Sequence, residues 1–171
     1  MDGVLSAFEW NFCPICGQRL ELRNDGERCR PFCVVCIRFF YSNPAPAVCC
    51  FLTQGTSLLL AQRAVDPCRG QWGLPGGFVE MGETTEDALV REIEEETSLA
   101  IRGLHLIGVS TQPSELCGAV TVLGYRIDAW SGTPTPNSDV LAVQFFEKDQ
   151  RPPLPFRAHR ELLAIFDALT L

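Results

Sequence analysis

The chain lacks any apolar run long enough to cross a membrane. A spanning helix needs about 20 consecutive apolar residues, and polar or charged residues interrupt every stretch of that length in the 171-residue sequence. The amino terminus also lacks the basic start and long apolar segment of a secretory signal, and no internal repeat is visible. We therefore expect a cytoplasmic protein that consists of one ordinary domain with at most a small appendage.

An excess of positive charge is also missing. The sequence has 14 Lys and Arg against 21 Asp and Glu, which gives a net charge of −7. Residues 1–46 are balanced, so residues 47–171 carry all of the excess. Affinity for a nucleic-acid backbone depends on Lys and Arg that displace counterions, and the charge balance therefore argues against a nucleic-acid partner. A small phosphorylated ligand can still bind where cations lie between it and the acids.

Cysteine, by contrast, is abundant. Nine are present, and four of them form two CxxC pairs separated by sixteen residues: Cys13, Cys16, Cys33 and Cys36. This spacing is typical of a four-thiolate site for Zn²⁺. Disulfides and a redox pair are the alternatives, and the odd cysteine total and the expected intracellular setting argue against disulfides. We predict that these four cysteines bind a structural zinc ion, which has no open position for a catalytic water.

The zinc module sets a predicted domain boundary. Residues 1–46 are expected to form a small zinc ribbon and a linker, and residues 47–171 to form a second domain. The linker, residues 41–46, contains two prolines and is predicted to be extended. A module this small cannot bury enough surface to fold alone, so metal binding would supply its folding energy.

Alternation and turn residues predict the elements of the second domain. Strands are expected at residues 47–53, 57–63, 104–108, 119–129 and 140–146. One helix should begin after Thr84, because Asp87 completes a capping box with it. A second, amphipathic helix is predicted at residues 157–169. Strands before, between and after two helices indicate an α+β domain with a sheet between helices.

A run of acids in the first helix is the most informative local feature. Glu92, Glu95 and Glu96 stand at i, i+3 and i+4, so their carboxylates share one helix face. They lie near the helix C-terminus, where the macrodipole disfavours each by about 0.3–1 kcal/mol. A solvated acidic face is one explanation. The other is that hard divalent cations, which prefer oxygen ligands, neutralise these acids.

The acids belong to a longer pattern. Gly77 is followed after five residues by Glu83, and after seven more by residues 91–99, Arg-Glu-Ile-Glu-Glu-Glu-Thr-Ser-Leu. This arrangement resembles the Nudix box, G, five residues, E, seven residues, then R-E-U-x-E-E-x-G-U with U a bulky apolar residue. Every fixed position matches except the last glycine, which is Ser98 here. The resemblance implies an α/β/α sandwich with a mixed sheet.

The resemblance also implies an activity and its metal ligands. It implies hydrolysis of the pyrophosphate in a nucleoside diphosphate linked to another moiety, with release of a nucleoside monophosphate. By motif position, Glu92, Glu95 and Glu96 would hold Mg²⁺ or Mn²⁺, helped by a backbone carbonyl of Gly76 or Gly77. Glu92 would also be the general base or would orient the attacking water.

Three other residues receive expected roles. Arg91 would hold an acid in place by a charge-assisted hydrogen bond, and its alternative is a simple i,i+4 pair with Glu95. Glu83 would either pair with Arg91 or join the metal ligands. Trp72 opens the segment Trp-Gly-Leu-Pro-Gly-Gly, residues 72–77, whose glycines let backbone approach a substrate closely. Trp72 would stack on a nucleobase or, as its usual burial favours, pack in the core.

The base and the substrate stay open at this point. Many Nudix relatives place a further catalytic acid in a loop after the box, and Asp139 and Glu147 are available for it here. The whole chain is similar to zinc-ribbon Nudix hydrolases, which include NADH and plant FAD pyrophosphatases. The NADH enzymes carry a downstream signature SQPWPFPxS, of which residues 110–116, Ser-Thr-Gln-Pro-Ser-Glu-Leu, keep only part. FAD, ADP-ribose or another dinucleotide-like pyrophosphate is therefore expected, and a homodimer is an open alternative to a monomer.

Two other functions compete with hydrolysis. A non-catalytic nucleotide-sensing regulator would use the ribbon for docking, but such proteins usually lose box acids, and all are present here. An RNA-decapping or DNA-binding protein is the second alternative, and the neutral ribbon on an acidic domain argues against it.

Overall fold

The structure is a computed structural model that describes residues 10–169. The chain divides into two compact units. The first runs up to Pro44 and also includes Pro113–Ala119, and the second comprises Ala45–Gln112 and the chain from Val120 onward. None of the helices within residues 10–169 combines the length and apolar character that a membrane crossing requires.

The first unit contains a three-stranded sheet. Its strands are β1 (Glu21–Asn24), β2 (Cys29–Cys33) and β3 (Arg38–Phe39), in the order β1-β2-β3 with antiparallel pairs. The turn between β1 and β2 forms because Asn24 and Asp25 accept hydrogen bonds from backbone amides two and three residues on, as short Asx side chains do.

Two sheets form the centre of the second unit. The first has the order β4-β9-β8, with β4 (Ala45–Phe51) parallel to β9 (Gly118–Ser131) and β8 (Ala100–Ser114) beyond it. The second has four strands, in which β6 pairs with each of the others: β5 (Thr53–Gln54), β6 (Ser57–Arg63), β7 (Trp72–Gly73) and β10 (Val140–Phe146). The β6–β10 and β6–β7 pairs are antiparallel.

Two helices cover opposite faces of β4. Helix α1 (Thr85–Thr97) contributes Leu89 and Ile93 to a core that includes Cys50 of the strand. Helix α2 (Arg157–Leu169) brings Phe166 against Phe51, with ring centroids 4.6 Å apart. Successive side chains of a strand point to opposite faces, so Cys50 packs on the side of α1 and Phe51 on the side of α2. The predicted α+β sandwich is confirmed.

Both ends of α1 are held by local contacts. Thr84 and Asp87 form the predicted capping box at its start. At its end Ser98 takes the left-handed conformation, φ 59°, where the family pattern has glycine. The following loop supplies donors to the last turn: the Thr135 amide bonds the Thr97 carbonyl at 2.9 Å, and the Asn137 amide bonds the Glu96 carbonyl at 3.1 Å. Carbonyls that a helix end leaves without partners are thus satisfied by this loop.

The start of β4 and the length of β8 differ most from the strand boundaries that the sequence predicted. Strand β4 begins at Ala45, inside the predicted linker, because its first residues pair with β9. Strand β8 extends over residues 100–114, although only 104–108 were predicted. Much of β8 is exposed on both faces, so it lacks the alternation of apolar and polar residues on which such a prediction depends.

Candidate active site and metal centre

The four cysteines predicted to bind zinc come together in the first unit. Their Sγ atoms all lie within 4.8 Å of one another, with Cys13 to Cys36 at 3.8 Å and Cys16 to Cys33 at 3.5 Å. The edge of a tetrahedron with Zn–S bonds of about 2.3 Å is about 3.8 Å, so this cluster is compatible with zinc. Cys29 is exposed and does not belong to the cluster.

The two CxxC turns share a positive φ at the residue that follows them. Gly17 and Ile37, each directly after the second cysteine of a pair, have φ of 72° and 51°. The Gly17 amide donates to the Cys13 carbonyl at 2.9 Å, and the Cys36 amide donates to Cys33 Sγ at 3.3 Å. Glycine takes this conformation freely, whereas it costs a β-branched residue about 1–3 kcal/mol. The positive φ of Ile37 therefore costs the second turn conformational free energy, and metal–thiolate bonds can offset that cost.

Arg91 is the centre of a second cluster, in the second unit. Its Nε and Nη2 donate to the two carboxylate oxygens of Glu83 at 3.1 and 2.7 Å. Its Nη1 donates to Glu92 at 2.9 Å and to Glu95 at 3.2 Å, and Nη2 also reaches the Phe78 carbonyl at 3.1 Å. Of the two expected roles for Glu83, pairing with Arg91 is the one observed. Hydrogen bonds from Arg91 lower the pKa of Glu83 and keep it ionised.

Glu96 lies on the same helix but faces a different partner. It is 7% exposed, and its carboxylate accepts the Gly76 amide at 2.9 Å. Burial first, and then the negative charges of Asp139 and Glu92, raise the pKa of Glu96 to about 8, while the Gly76 hydrogen bond and Arg63 act in the opposite direction. This carboxyl is therefore short of positive charge in the absence of a cation.

The predicted metal glutamates are thus divided between two partners. Glu92 and Glu95 bond Arg91, whereas Glu96 bonds Gly76. Within residues 10–169, the four cysteines alone bring three or more ligand atoms within 4.8 Å of one another. The acids nevertheless act on each other, because burial and the Glu95 charge are among the causes that raise the pKa of Glu92. Carboxylate oxygens with this unbalanced charge fit a hard divalent cation.

Gly76 and Gly77 bring backbone close to these acids. A Cβ on Gly77 would overlap the Glu92 carboxylate, and one on Gly76, φ 138°, would lie 2.8 Å from Cys49 Cα. The Gly77 carbonyl already accepts the Val48 amide at 2.8 Å. Among residues 10–169 no such backbone hydrogen bond is recorded for the Gly76 carbonyl. Of the two carbonyls expected to help a cation, that of Gly76 is therefore the less engaged.

The two candidates for a further acid are separated by their contacts. Glu147 accepts hydrogen bonds from the hydroxyls of Thr56 and Ser57 at 2.8 and 2.6 Å. Asp139, at the end of the loop that caps α1, is close enough for its charge to raise the pKa of Glu96. Asp139 therefore belongs to the electrostatic neighbourhood of the box acids, and Glu147 is engaged elsewhere in the second unit.

Trp72 packs within the sheet. Its ring meets the edge of Phe146 with centroids 4.9 Å apart, and its strand β7 pairs with Gln62 of β6. In the described part of the chain no contact of Trp72 with the box acids is recorded. The packing role is observed, and stacking on a nucleobase stays a prediction.

Two residues beside this site were not among the predicted site residues. Arg63 ends β6, its Nε donates to the Pro67 carbonyl at 2.8 Å, and its charge lowers the pKa of Glu96. His159 is a partly buried residue of α2 whose Nδ1 accepts the Leu74 amide at 3.2 Å. Burial, and then Arg63, lower the pKa of His159 to about 4, so the ring stays neutral as an acceptor. An arginine at the end of an apolar strand was the available signal for Arg63. The position of His159 at the start of the last helix suggested contact with substrate, but a structural role was the favoured interpretation.

Comparison with known proteins identifies this arrangement. Residues 43–166 match the model of the NUDIX domain. An ADP-ribose pyrophosphatase of Methanocaldococcus jannaschii is 38% identical over 117 residues, which cover 68% of this chain and 69% of that protein. The NAD-capped RNA hydrolase NudC of Pseudomonas aeruginosa is 33% identical over 145 residues, 84% of this chain. This chain spans 50% of that longer relative.

A solved structure extends the likeness to three dimensions. The NUDIX hydrolase from Nitrosomonas europaea superposes with a TM-score of 0.70 at 30% sequence identity. The match covers 90% of this chain and 88% of the other, so it includes part of the first unit as well as the second.

Proposed function

The chain belongs to the Nudix hydrolase family, and we propose that its substrate is a nucleoside diphosphate linked to a second moiety, of the ADP-ribose, NADH or FAD type. The observation that carries the proposal is the complete set of box acids arranged around Arg91 and Gly76. The identity to a relative named ADP-ribose pyrophosphatase makes ADP-ribose the first substrate to test. Water would add to one phosphorus and the bridging P–O bond would break, so that the products would be a nucleoside monophosphate and the monophosphate of the second moiety.

The proposed metal ligands are Glu92, Glu95 and Glu96, with the Gly76 carbonyl as a backbone ligand. Their hard oxygen donors suit Mg²⁺ or Mn²⁺, and the raised pKa of Glu96 supports a need for positive charge. When bound, such ions supply Lewis-acid neutralisation of the diphosphate. The glutamates would hold the ions, and the Glu92 carboxylate lies so close to Gly77 that no side chain fits there.

The remaining roles follow from the contacts of Arg91. Glu92 is the proposed general base and would accept the proton of the attacking water on a carboxylate oxygen. Arg91 positions Glu92 and Glu95 through the same nitrogen, and Glu83 fixes the Arg91 guanidinium with a bidentate pair. Asp139 is a second candidate for the base because its charge reaches Glu96.

The proposed division of labour assigns residues 1–46 to a zinc ribbon with its linker and residues 47–171 to the hydrolase. The spacing of the four cysteine sulfurs supports a structural Zn²⁺. Purified protein should therefore contain one equivalent of zinc per chain by elemental analysis, and dimerisation stays a prediction that size-exclusion measurements can test.

A product screen tests the proposed function. ADP-ribose, NADH, FAD, NAD-capped RNA and nucleoside triphosphates would each be incubated with Mg²⁺ or Mn²⁺, and nucleoside monophosphate release measured. Glu95→Gln should lose turnover, whereas Glu94→Gln, a change at an exposed residue on the helix face opposite Glu92, should keep it. Nucleotide binding with no metal-dependent turnover on any substrate would favour the regulator instead.

A further inference from the structure

A cavity lies wholly within the first unit. Its volume is about 450 Å³, and its walls include Trp10, Arg19, Arg28, Cys29, Arg30 and Phe40. Sites for small molecules usually measure about 300–1,000 Å³. The ribbon therefore offers a concave surface large enough for a nucleotide, in a module whose zinc cannot itself be catalytic.

The charge of this cavity is opposite to that of the chain. Arg30 pairs with Asp25, and Glu21, an acid of the wall, pairs with Arg23. Within residues 10–169 no salt bridge is recorded for Arg19 or Arg28, and both are exposed. Two arginines that pair with no acid of the described chain, in a protein of net charge −7, favour an anion at this place.

The same walls carry aromatic rings. Trp10 is 37% exposed, and its ring centroid lies 6.4 Å from that of Phe40. The Arg30 guanidinium lies over the Tyr41 ring at 4.6 Å beside the cavity. Rings next to guanidinium groups match the two parts of a nucleotide, because bases stack on aromatic faces and phosphates accept the planar donors of arginine.

We propose that this ribbon cavity binds a nucleotide unit, with its phosphate on Arg19 and Arg28 and its base against Trp10. The inference does not depend on hydrolysis in the second unit. A free nucleotide and a nucleotide of a single-stranded RNA present the same chemistry. The NudC alignment of 145 residues is longer than the second unit and must include part of the ribbon, so an RNA source is included in the test.

Fluorescence anisotropy provides the test. A short fluorescein-labelled oligoadenylate would be titrated into full-length zinc-loaded protein without added Mg²⁺ or Mn²⁺, so that hydrolysis does not occur. The double variant Arg19→Glu/Arg28→Glu should raise Kd at least about tenfold. It should also reduce the slope of log K against log salt by at least about 0.7, since each neutralised phosphate of a single strand contributes about 0.7. The matched control Arg38→Glu reverses an exposed charge of the same ribbon outside the cavity walls and should bind nearly as the native protein does.

Competition identifies the source of the nucleotide. If AMP displaces the labelled oligoadenylate at a concentration similar to that of unlabelled oligoadenylate, the cavity is assigned to free nucleotides. If unlabelled oligoadenylate displaces it and AMP does not, the cavity is assigned to RNA. Equal loss of affinity in Arg38→Glu and in the double variant, or no oligoadenylate and no AMP binding by the native protein, would overturn the proposal.

Cys29 gives a second readout that needs no arginine variant. Its thiol is exposed in the cavity wall and outside the zinc cluster. Alkylation of each cysteine would be measured by peptide mass mapping. Saturating nucleotide should slow alkylation of Cys29, while alkylation of Cys68 in the second unit should not change. Unchanged Cys29 alkylation at a nucleotide concentration that saturates binding would place the ligand elsewhere and refute the assignment, even if the double variant failed to retain zinc.

Discussion

Ionisation of Glu96 should destabilise the protein as pH rises when no Mg²⁺ or Mn²⁺ is bound. Its pKa of about 8 in the folded chain stands against an ordinary value of 4.5. The folded state therefore binds the proton more tightly than the unfolded state, so the stability that protonated Glu96 contributes is fully present below pH 4.5 and is lost as pH rises through about 8. Each tenfold difference in proton affinity between the two states corresponds to about 1.4 kcal/mol, and the full loss is therefore about 5 kcal/mol.

The window from pH 6.5 to 8 isolates this contribution from that of His159. The folded pKa of His159 is about 4 and its ordinary value is 6.5, so most of its own loss of stability occurs as pH falls below 6.5. About 2 kcal/mol of the Glu96 effect falls inside the window. Urea unfolding of zinc-loaded protein at both pH values should show this decrease, and Glu96→Gln should remove it.

The comparison between native protein and Glu96→Gln also cancels any titration of the cysteine cluster. Added Mg²⁺ should restore stability at pH 8 in the native protein more than in the variant, because the cation supplies the charge that Glu96 lacks. Equal pH dependence of unfolding free energy in the two proteins would show that Glu96 ionises normally, and burial would then not govern its proton affinity.

Three further predictions concern the site and the ribbon. Glu95→Gln should lower kcat by about 100-fold or more, while the free energy of unfolding stays equal or rises because the change removes a like charge near the end of α1. Glu94→Gln serves as its control, and a kcat of Glu95→Gln equal to that of the native protein would contradict the ligand assignment. His159→Leu should destabilise by about 1–3 kcal/mol because it leaves the buried Leu74 amide without an acceptor, and His159→Gln should recover part of this in denaturant titrations; no difference between the two would exclude the hydrogen bond as the cause. Cys33→Ser should abolish zinc retention and, by near-ultraviolet circular dichroism, the packing of the ribbon aromatics; retained zinc would argue against the four-thiolate site.

Local signals account for what the sequence predicted well. The capping box at Thr84, the apolar stripe of α1 and the amphipathic pattern of α2 lie within one or two helical turns, so nearby residues determine them. The CxxC spacing similarly contains the geometry of a metal turn. Strand β8 was underestimated because its exposure on both faces removes the alternation that distinguishes a strand from a loop.

Long-range contacts account for what the sequence could not provide. The box spacing predicted that Arg91 and Glu83 would have related roles, but not that one guanidinium would engage three glutamates. Asp139 approaches Glu96 only through the path of the loop before β10, and His159 meets the Leu74 amide only because α2 packs there. Such neighbours depend on tertiary packing, which pattern and propensity do not determine.

The loop before β10 both caps helix α1 and positions Asp139 beside the box acids. Its amides at Thr135 and Asn137 close the last turn of α1, and the same loop continues to Asp139, whose charge acts on Glu96. Asp139 is also tied to the sheet, because its carbonyl accepts the Ala64 amide at 2.6 Å. An insertion between Asn137 and Asp139 would therefore lengthen the link between cap and acid without shortening the helix. Loop grafts from relatives should therefore succeed only when the loop and the end of α1 to which it bonds are exchanged together.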